Sequence, residues 1–306
     1  MVNGTFATPA QPGIRDYALL LALAACWGTS FLFIKIAAET VPAITVTAAR
    51  LVIALPILMA ATRMAGQVLP RGLRLWGAIC AAALFGAALP FTLITWGEER
   101  IDSGLAAILM AVMPLTTVLL AHFFTRDERL TPRKTAGVVV GIAGLVVLFG
   151  PEKLAQLGAD TVRQLAVAAA AVCYGVNAVI TKRLIGQPRQ GLAAAMTLAA
   201  VAMMVPASLI VDRPWRVQAD MGSIAAILVL GVVQTAIGTM IMFALIHRQG
   251  ASFFSQINFL VPLVGVIAGA LILFERPPPN AYVALVLILL GVAVARGRAA
   301  AALKPP

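Results

Sequence analysis

The stretch Cys26–Ser30 (CWGTS), followed by Lys35, returns 147 positions later as Cys173–Asn177 (CYGVN), followed by Lys182. Other landmarks return at an offset of 147 or 148: Arg100 as Arg248, Pro114-Leu115 as Pro262-Leu263, Glu128-Arg129 as Glu275-Arg276, Pro132 as Pro279 and Gly144 as Gly291. One nearly constant offset across half the chain indicates a single structural unit that is used twice.

The composition of the chain indicates that a lipid bilayer surrounds this unit. Hydrophobic residues make up 61% of the 306 residues and charged residues 11%, whereas a soluble domain is about half apolar and about a quarter charged. Runs of about 20 apolar residues are long enough to cross the bilayer as helices. The segments do not alternate as barrel strands would. Ten such runs are predicted: Tyr17–Ala37, Thr45–Ala61, Leu73–Thr95, Ser103–Phe124, Thr135–Gly150, Arg163–Leu184, Gly191–Val211, Ser223–His247, Ser252–Phe274 and Asn280–Ala295.

Five spans in each half force the second half to enter the membrane from the opposite side. The predicted fold is therefore an all-α membrane protein of ten transmembrane helices, arranged as two inverted five-helix repeats. The predicted domains are a disordered cytoplasmic leader (1–16), the first repeat (17–150), a periplasmic connection (151–162), the second repeat (163–297) and a cytoplasmic tail (298–306).

The distribution of basic residues predicts the orientation. The net charge of +11 would suit nucleic acid, but the charges follow the topology instead. With both termini inside, fifteen of the 23 Lys and Arg residues lie on the inner side, six lie outside, and Lys35 and Arg50 lie within spans. Basic residues stay on the cytoplasmic side during insertion. The sequence therefore predicts a bacterial inner-membrane protein with cytoplasmic termini and no nucleic-acid partner.

Several kinds of chemistry have no signature in the sequence. It contains no GxxxxGK[ST] motif for ATP and no HExxH motif for zinc. The three cysteines, Cys26, Cys80 and Cys173, fall inside spans without a CxxC pattern. No catalytic residue, metal or cofactor is therefore predicted. All twelve acidic residues map to the leader, span ends or connections, which argues against cationic cargo and against proton coupling through a carboxylate.

The order of several motifs resembles a known family. These motifs are the Cys-Trp-Gly-x-x-Phe start of the first span, Arg50, the segment Ser103–Ile108 before Met113-Pro114-Leu115, the connection Glu128–Pro132 and the Gly-rich segment Gly137–Gly144. Together they resemble the drug/metabolite transporter superfamily, EamA type, and within it the YddG-type branch of aromatic amino-acid exporters. The resemblance implies alternating access and a central cavity lined by the first four helices of each repeat, with the fifth helices at the periphery.

Two matched positions are the first candidates for substrate binding. Trp27 and Tyr174 lie near the middle of the first and sixth spans, and Ser30 and Asn177 follow three residues later on the same helix faces. Both repeats thus place an aromatic and a polar group beside the predicted axis, where they could stack on a ligand and bond it. The alternative is helix packing, with the polar groups bonded to neighbouring helices.

Further polar residues in the spans extend the predicted site. An unpartnered amide in hydrocarbon costs several kcal/mol, so such groups face one another or water. The predicted substrate contacts are Gln234, Thr235, Gln256 and Asn258 in the second half and Thr92 and Trp96 in the first. An interhelical hydrogen-bond network is the alternative, and Trp96 also suits an interface anchor.

Arg50 has two interpretations, because a charge at membrane depth is costly. It snorkels outward to Glu39, Glu98 or Glu99, which is the favoured interpretation, or it attracts the carboxylate of a substrate. Lys35 is expected to pair with Glu39 one turn away. Pro114 and Pro262 occupy matching positions and are predicted to be symmetric hinges or static bends.

These observations predict a secondary transporter that exports small organic metabolites, preferably amino acids including aromatic ones. Its expected partners are the substrate and the lipid bilayer. The alternatives are a membrane-embedded enzyme acting on a lipid-linked substrate, an exporter of other drugs or metabolites, and an assembly partner without transport. The sequence leaves open the exact cargo and whether a monomer is the functional unit. Without a midplane carboxylate, we expect transport to ignore an imposed pH gradient.

Overall fold

The computed structural model describes residues 12–125, 129–149, 159–184 and 186–296. This part of the chain forms ten long helices, nine of which are long and apolar enough to span a membrane, whereas the ninth in order is shorter. They are α1 Ile14–Ala37, α2 Ala43–Met64, α3 Leu73–Glu98, α4 Ser103–Phe124, α5 Pro132–Phe149, α6 Ala159–Lys182, α7 Arg189–Asp212, α8 Met221–Ala251, α9 Ile257–Ile272 and α10 Pro279–Arg296. The predicted all-helical membrane fold is confirmed.

Both repeats begin earlier than the sequence predicts. α1 starts at Ile14, so residues 14–16 of the predicted leader lie in its first turn. The Asp16 carboxylate accepts a hydrogen bond from the Gly13 backbone N–H at 3.1 Å and pairs with Arg248 on α8 at 2.6 Å. α6 starts at Ala159 rather than Arg163. Residues 1–11, most of the predicted connection (151–158) and the tail from 297 lie outside the described residues.

The helix ends define two faces of the bundle. α1 begins at the terminal face, where Asp16 meets Arg248, and α10 ends there, where Arg296 donates to the Ser255 carbonyl. α6 begins at the opposite, distal face, where Arg163 meets Glu99. The first helices of the two halves therefore start on opposite faces, as an inverted repeat requires.

The fifth helices of the two halves, α5 and α10, pack mainly on each other. Glycines allow this close approach, because a Cβ on Gly144 would lie 2.8 Å from Ile288 Cγ1 and 3.0 Å from the Ala284 carbonyl. On α9, a Cβ on Gly265 would lie 2.5 Å from Ala107 on α4. Gly144 and Gly265 thus lie on close-packing faces, and α5 and α10 lie beside the remaining eight helices.

Helices α3 and α8 share an irregularity that the sequence does not predict. Both contain a π-helical segment, Leu84–Ala88 in α3 and Leu230–Ile237 in α8. The offset of 147 or 148 places the two segments at equivalent positions of the repeats. Single π-turns inside α-helices are rare and occur often at functional sites. Here they mark the level at which the two halves meet.

Candidate functional site

Arg50 on α2 is the centre of a buried polar site between the two halves. Its side chain is only 3% exposed. Nε and Nη2 each donate to Thr235 Oγ1 on α8 at 3.1 Å, and the guanidinium lies 4.0 Å from the ring centroid of Phe91 on α3. Nη1 has no hydrogen bond to any described residue. The favoured prediction that Arg50 snorkels outward to an acidic residue is therefore wrong.

The π-helical segment of α8 holds the guanidinium in this position. Thr235 Oγ1 donates to the Leu230 carbonyl five residues earlier at 2.8 Å, so its lone pairs remain free for Arg50. The preceding residue, Gln234, is 3% exposed, and its side-chain carbonyl has no hydrogen-bond partner in the described structure. An extra residue per turn thus directs two consecutive polar side chains away from the lipid.

Trp27 on α1 contacts the same segment. Its indole N–H donates to the Gln234 backbone carbonyl at 3.2 Å, and its ring meets Phe254 edge-on at 6.1 Å. Ser30 donates to the Trp27 carbonyl at 2.6 Å, within its own helix. These partners match the packing alternative more closely than a free cavity wall, although Trp27 remains partly exposed.

The equivalent pair in the second half has fewer partners. Tyr174 on α6 is near enough to Arg50 for an electrostatic interaction and packs on the central hydrophobic core. Asn177 lies against Gly86 in the π-helical segment of α3, where an added Cβ would come within 2.8 Å of its side chain. The Asn177 Oδ1 atom is buried and accepts no hydrogen bond from the described residues. α6 therefore meets the α3 segment as α1 meets the α8 segment.

The remaining predicted contacts do not join this centre. Thr92 donates to the Ala88 carbonyl at 2.8 Å, and its hydroxyl lies 3.2 Å from that of Thr47, so it lies beside the centre in a pair between α2 and α3. Trp96 lies at the distal face under the Arg163 guanidinium, 3.8 Å from its ring centroid. Trp96 thus has the surroundings of an interface anchor.

Gln256 and Asn258 are displaced because α9 begins later than predicted. α8 continues past His247, with a break at Gly250, and α9 begins only at Ile257. Gln256 is exposed in the connection, and Asn258 lies partly exposed in the first turn. Neither residue therefore lies at midspan in this structure, and their role as substrate contacts stays a prediction.

The two prolines differ from the predicted symmetric hinges. At Pro114, α4 consists of two helical segments, Ser103–Met110 and Met113–Phe124, separated by a turn. Pro262 lies inside the uninterrupted helix α9. Among the described residues, only the first proline therefore accompanies a break that could serve as a hinge.

A network of polar contacts closes the distal face. Thr45 donates to Asp212 through its backbone N–H at 2.8 Å and its hydroxyl at 2.9 Å. Thr40 donates to Ser223 at 2.8 Å. Hydrogen bonds from the Ser223 backbone and side chain lower the pKa of Asp220, which caps α8.

Lys35 also belongs to the distal network. It donates to the Glu98 and Ile101 carbonyls at 2.8 and 2.9 Å, and not to Glu39 as predicted.

Away from this centre, a groove of about 710 Å³ opens on the side of the bundle. None of the predicted substrate contacts lines it. In the described part of the chain, no group of three or more His, Cys, Asp or Glu side chains could hold a metal ion. The groove is lined by Pro56, Ile57, Ala60, Ala61, Met64, Ala65, Gln190 and Met240.

Sequence reasoning missed three parts of this site. Phe91 lies under the Arg50 guanidinium and Thr47 pairs with Thr92, and neither was predicted. Glu98 was predicted only as an outward partner of Arg50, and its burial was not predicted. Phe91 and Thr47 look like ordinary core residues, and Glu98 looks like a span end. The one available signal was that Arg50 needs neighbours able to hold a buried cation.

Comparison with known proteins agrees with this architecture. The model of the EamA-like transporter family matches residues 15–150 and again residues 163–297. The two matches begin 148 residues apart and end 147 apart, which confirms the duplicated halves. A crystal structure of a protein matches with a TM-score of 0.65 at 24% identity, covering 92% of this chain and 96% of that chain.

Two curated relatives extend over nearly the whole chain. A probable amino-acid metabolite efflux pump of Escherichia coli (strain K12) is 27% identical, with 91% of this chain and 93% of the relative covered. A probable terminal-alkyne amino-acid exporter of Streptantibioticus cattleyicolor is 28% identical, with 90% and 91% covered.

Proposed function

The chain belongs to the EamA-like transporter family, and on this premise we propose that it exports zwitterionic amino acids, including aromatic ones. It is a multi-pass membrane transporter and not an enzyme. The relatives named as an amino-acid metabolite efflux pump and an amino-acid exporter support this substrate class. The proposed location is the bacterial plasma membrane, with both termini and the terminal face in the cytoplasm.

The observation that carries this proposal is the buried guanidinium of Arg50. Planar guanidinium groups bind carboxylates through two parallel N–H donors. Thr235 and Phe91 fix this group between the halves, and Nη1 is left for a further acceptor. We infer that Arg50 receives the substrate carboxylate, and that Tyr174 and Trp27 contact its side chain. The amides of Asn177 and Gln234 are free to bond its polar atoms.

Flux of labelled amino acids into liposomes that contain only this protein tests the proposal. We expect uptake of L-phenylalanine or another amino acid that Arg50→Gln reduces at least tenfold with unchanged folded yield. Arg74→Gln is the matched control, because Arg74 is exposed at the start of α3. Equal loss in both variants would contradict the role of Arg50. Flux of other metabolites but of no amino acid would contradict the substrate class.

A further inference from the structure

Glu98, the last residue of α3, has the most deeply buried acidic side chain of the described chain. It is 0% exposed, and neither carboxylate oxygen has a hydrogen-bond partner among the described residues. An ionised carboxylate in such a place lacks both water and donors, which is far costlier than burying the neutral acid. The adjacent Glu99 shows the contrast, because it is exposed and paired with Arg163 at 2.6 Å.

Two cations lie near Glu98, but their hydrogen bonds go elsewhere. The Lys35 ammonium donates to the backbone carbonyls of Glu98 and Ile101. Arg50 donates to Thr235. Both charges act on the Glu98 carboxylate electrostatically, yet neither forms an ion pair with it within 4 Å.

The other titratable groups around this position are already occupied or partly wetted. Glu275, from the connection before α10, accepts from the backbone N–H groups of Ser103 and Gly104 at 2.8 and 2.9 Å, and so caps α4. Arg163 on α6 is held by Glu99. Asp102, before α4, is partly exposed, and burial together with the charge of Glu275 raises its pKa.

We propose that Glu98 is a proton-binding site that couples export to proton entry. This proposal rests on the function proposed above. In the closed distal state shown here, Glu98 holds the proton as a neutral acid. During the cycle a substrate that arrives from the terminal face displaces the proton: the O–H bond breaks, the proton leaves to water on that face, and the ammonium group of the substrate pairs with the carboxylate. Proton and substrate therefore occupy Glu98 alternately, which is the condition for exchange in opposite directions.

The sign of the pH effect follows from this arrangement. A closed distal face keeps the proton on Glu98, whereas an open face hydrates the carboxylate and allows it to ionise. The closed state binds more protons, so falling pH stabilises it relative to the open state. This outcome is the opposite of the pH independence that the acidic residues predict from sequence alone.

A measurement without substrate tests protonation directly. Infrared difference spectra of the purified protein, recorded during a pH titration, should show a carboxylic C=O band near neutral pH. Glu98→Gln should remove this band, and the protein should keep its melting temperature because Gln resembles the neutral acid. Glu39→Gln, which changes an exposed acid beside the same face, should leave the band unchanged. Identical bands in all three proteins would overturn the site.

Transport of L-phenylalanine in liposomes tests coupling. An acidic interior should drive uptake above the external concentration in the wild type and in Glu39→Gln, and a protonophore should abolish this accumulation. Glu98→Gln should retain exchange of labelled for unlabelled phenylalanine but lose accumulation. Uptake that ignores the pH gradient in the wild type would overturn coupling and leave the proposed function intact. If no amino acid moves at all, the proposed function and the coupling fail together, and the infrared titration still decides protonation.

Discussion

Replacing Thr235 by Val tests whether the π-helical segment of α8 holds Arg50. The change removes the oxygen that accepts from Nε and Nη2 of Arg50, each at 3.1 Å, and that donates to the Leu230 carbonyl. A hydrogen bond to a charged group contributes about 1.5–3 kcal/mol, and a neutral one about 1 kcal/mol. Interhelical bonds measured in a membrane protein average only about 0.6 kcal/mol. We therefore expect Thr235→Val to lower the unfolding free energy by about 2–3 kcal/mol.

Arg50→Met should behave differently. It loses the two hydrogen bonds to Thr235 and a contact with Phe91, which contributes about 2 kcal/mol in a dry site. It also removes the desolvation penalty of several kcal/mol that a buried charge carries in the folded state. The net change in unfolding free energy should be near zero, whereas amino-acid flux should be lost. With Thr235→Val in addition, the pair forms a double-mutant cycle.

The assay is reversible unfolding in mixed detergent micelles, followed by circular dichroism, for the wild type, both single variants and the double variant. The coupling energy between positions 50 and 235 should be about 1.5–3 kcal/mol. Thr181→Val is the matched control, because its hydroxyl bonds only carbonyls of its own helix. A coupling energy below about 0.5 kcal/mol, within the error of additivity, would refute the arrangement around Arg50.

Three further predictions concern topology, the aromatic pair and helix packing. In a cysteine-free background, a cysteine at position 155 should react with an impermeant reagent in intact cells and one at position 130 should not; the reverse pattern would contradict cytoplasmic termini. Trp27→Ala should lower the unfolding free energy by about 3–5 kcal/mol, because it removes the contacts with Gln234 and Phe254. Asn177→Ala should instead reduce flux with little change in melting temperature. Normal flux in Asn177→Ala would show that this amide is structural. Gly144→Leu should destabilise the α5–α10 pair by about 1–3 kcal/mol. Gly77→Ala should not destabilise the protein, because a Cβ at that position meets nothing within 4 Å. Equal melting temperatures of the two variants would contradict the close packing.

The helices and the repeat could be predicted from sequence because their signals are local. Runs such as Ser103–Phe124 must be helical in a bilayer, and this span was predicted with the observed ends. The repeat was predictable because the two halves retain landmarks such as Pro132 and Pro279, which begin α5 and α10. Neither inference required knowledge of which residues meet in space.

The site depends on which face each side chain presents, and that is set by packing. Arg50 was assigned to the membrane surface because the nearby acids Glu39, Glu98 and Glu99 suggested partners there. Thr235 instead reaches it because α8 gains a residue in its π-helical segment. Glu98 was assigned to a wetted span end by its position, but the chain folds over it and leaves it dry.

The inverted symmetry of the fold also shows where the two halves cannot be equivalent. The ion pair Asp16–Arg248 joins α1 to α8 at the terminal face, and Arg163–Glu99 joins α6 to α3 at the distal face. Asp16 and Arg163 are related by the repeat offset of 147, whereas their partners differ by one position, because Arg248 corresponds to Arg100 rather than to Glu99.

Partly exposed pairs of this kind contribute only about 0–1 kcal/mol each, so either face can open at little electrostatic cost. Which face opens must therefore depend on residues that the two halves do not share. Arg50 corresponds to the uncharged Thr197, and Glu98 corresponds at the same offset to the fully buried Leu245. Both buried charged residues belong to the first repeat alone. Protonation of Glu98 and binding of a substrate carboxylate to Arg50 would then shift the equilibrium between two otherwise balanced states in a single direction.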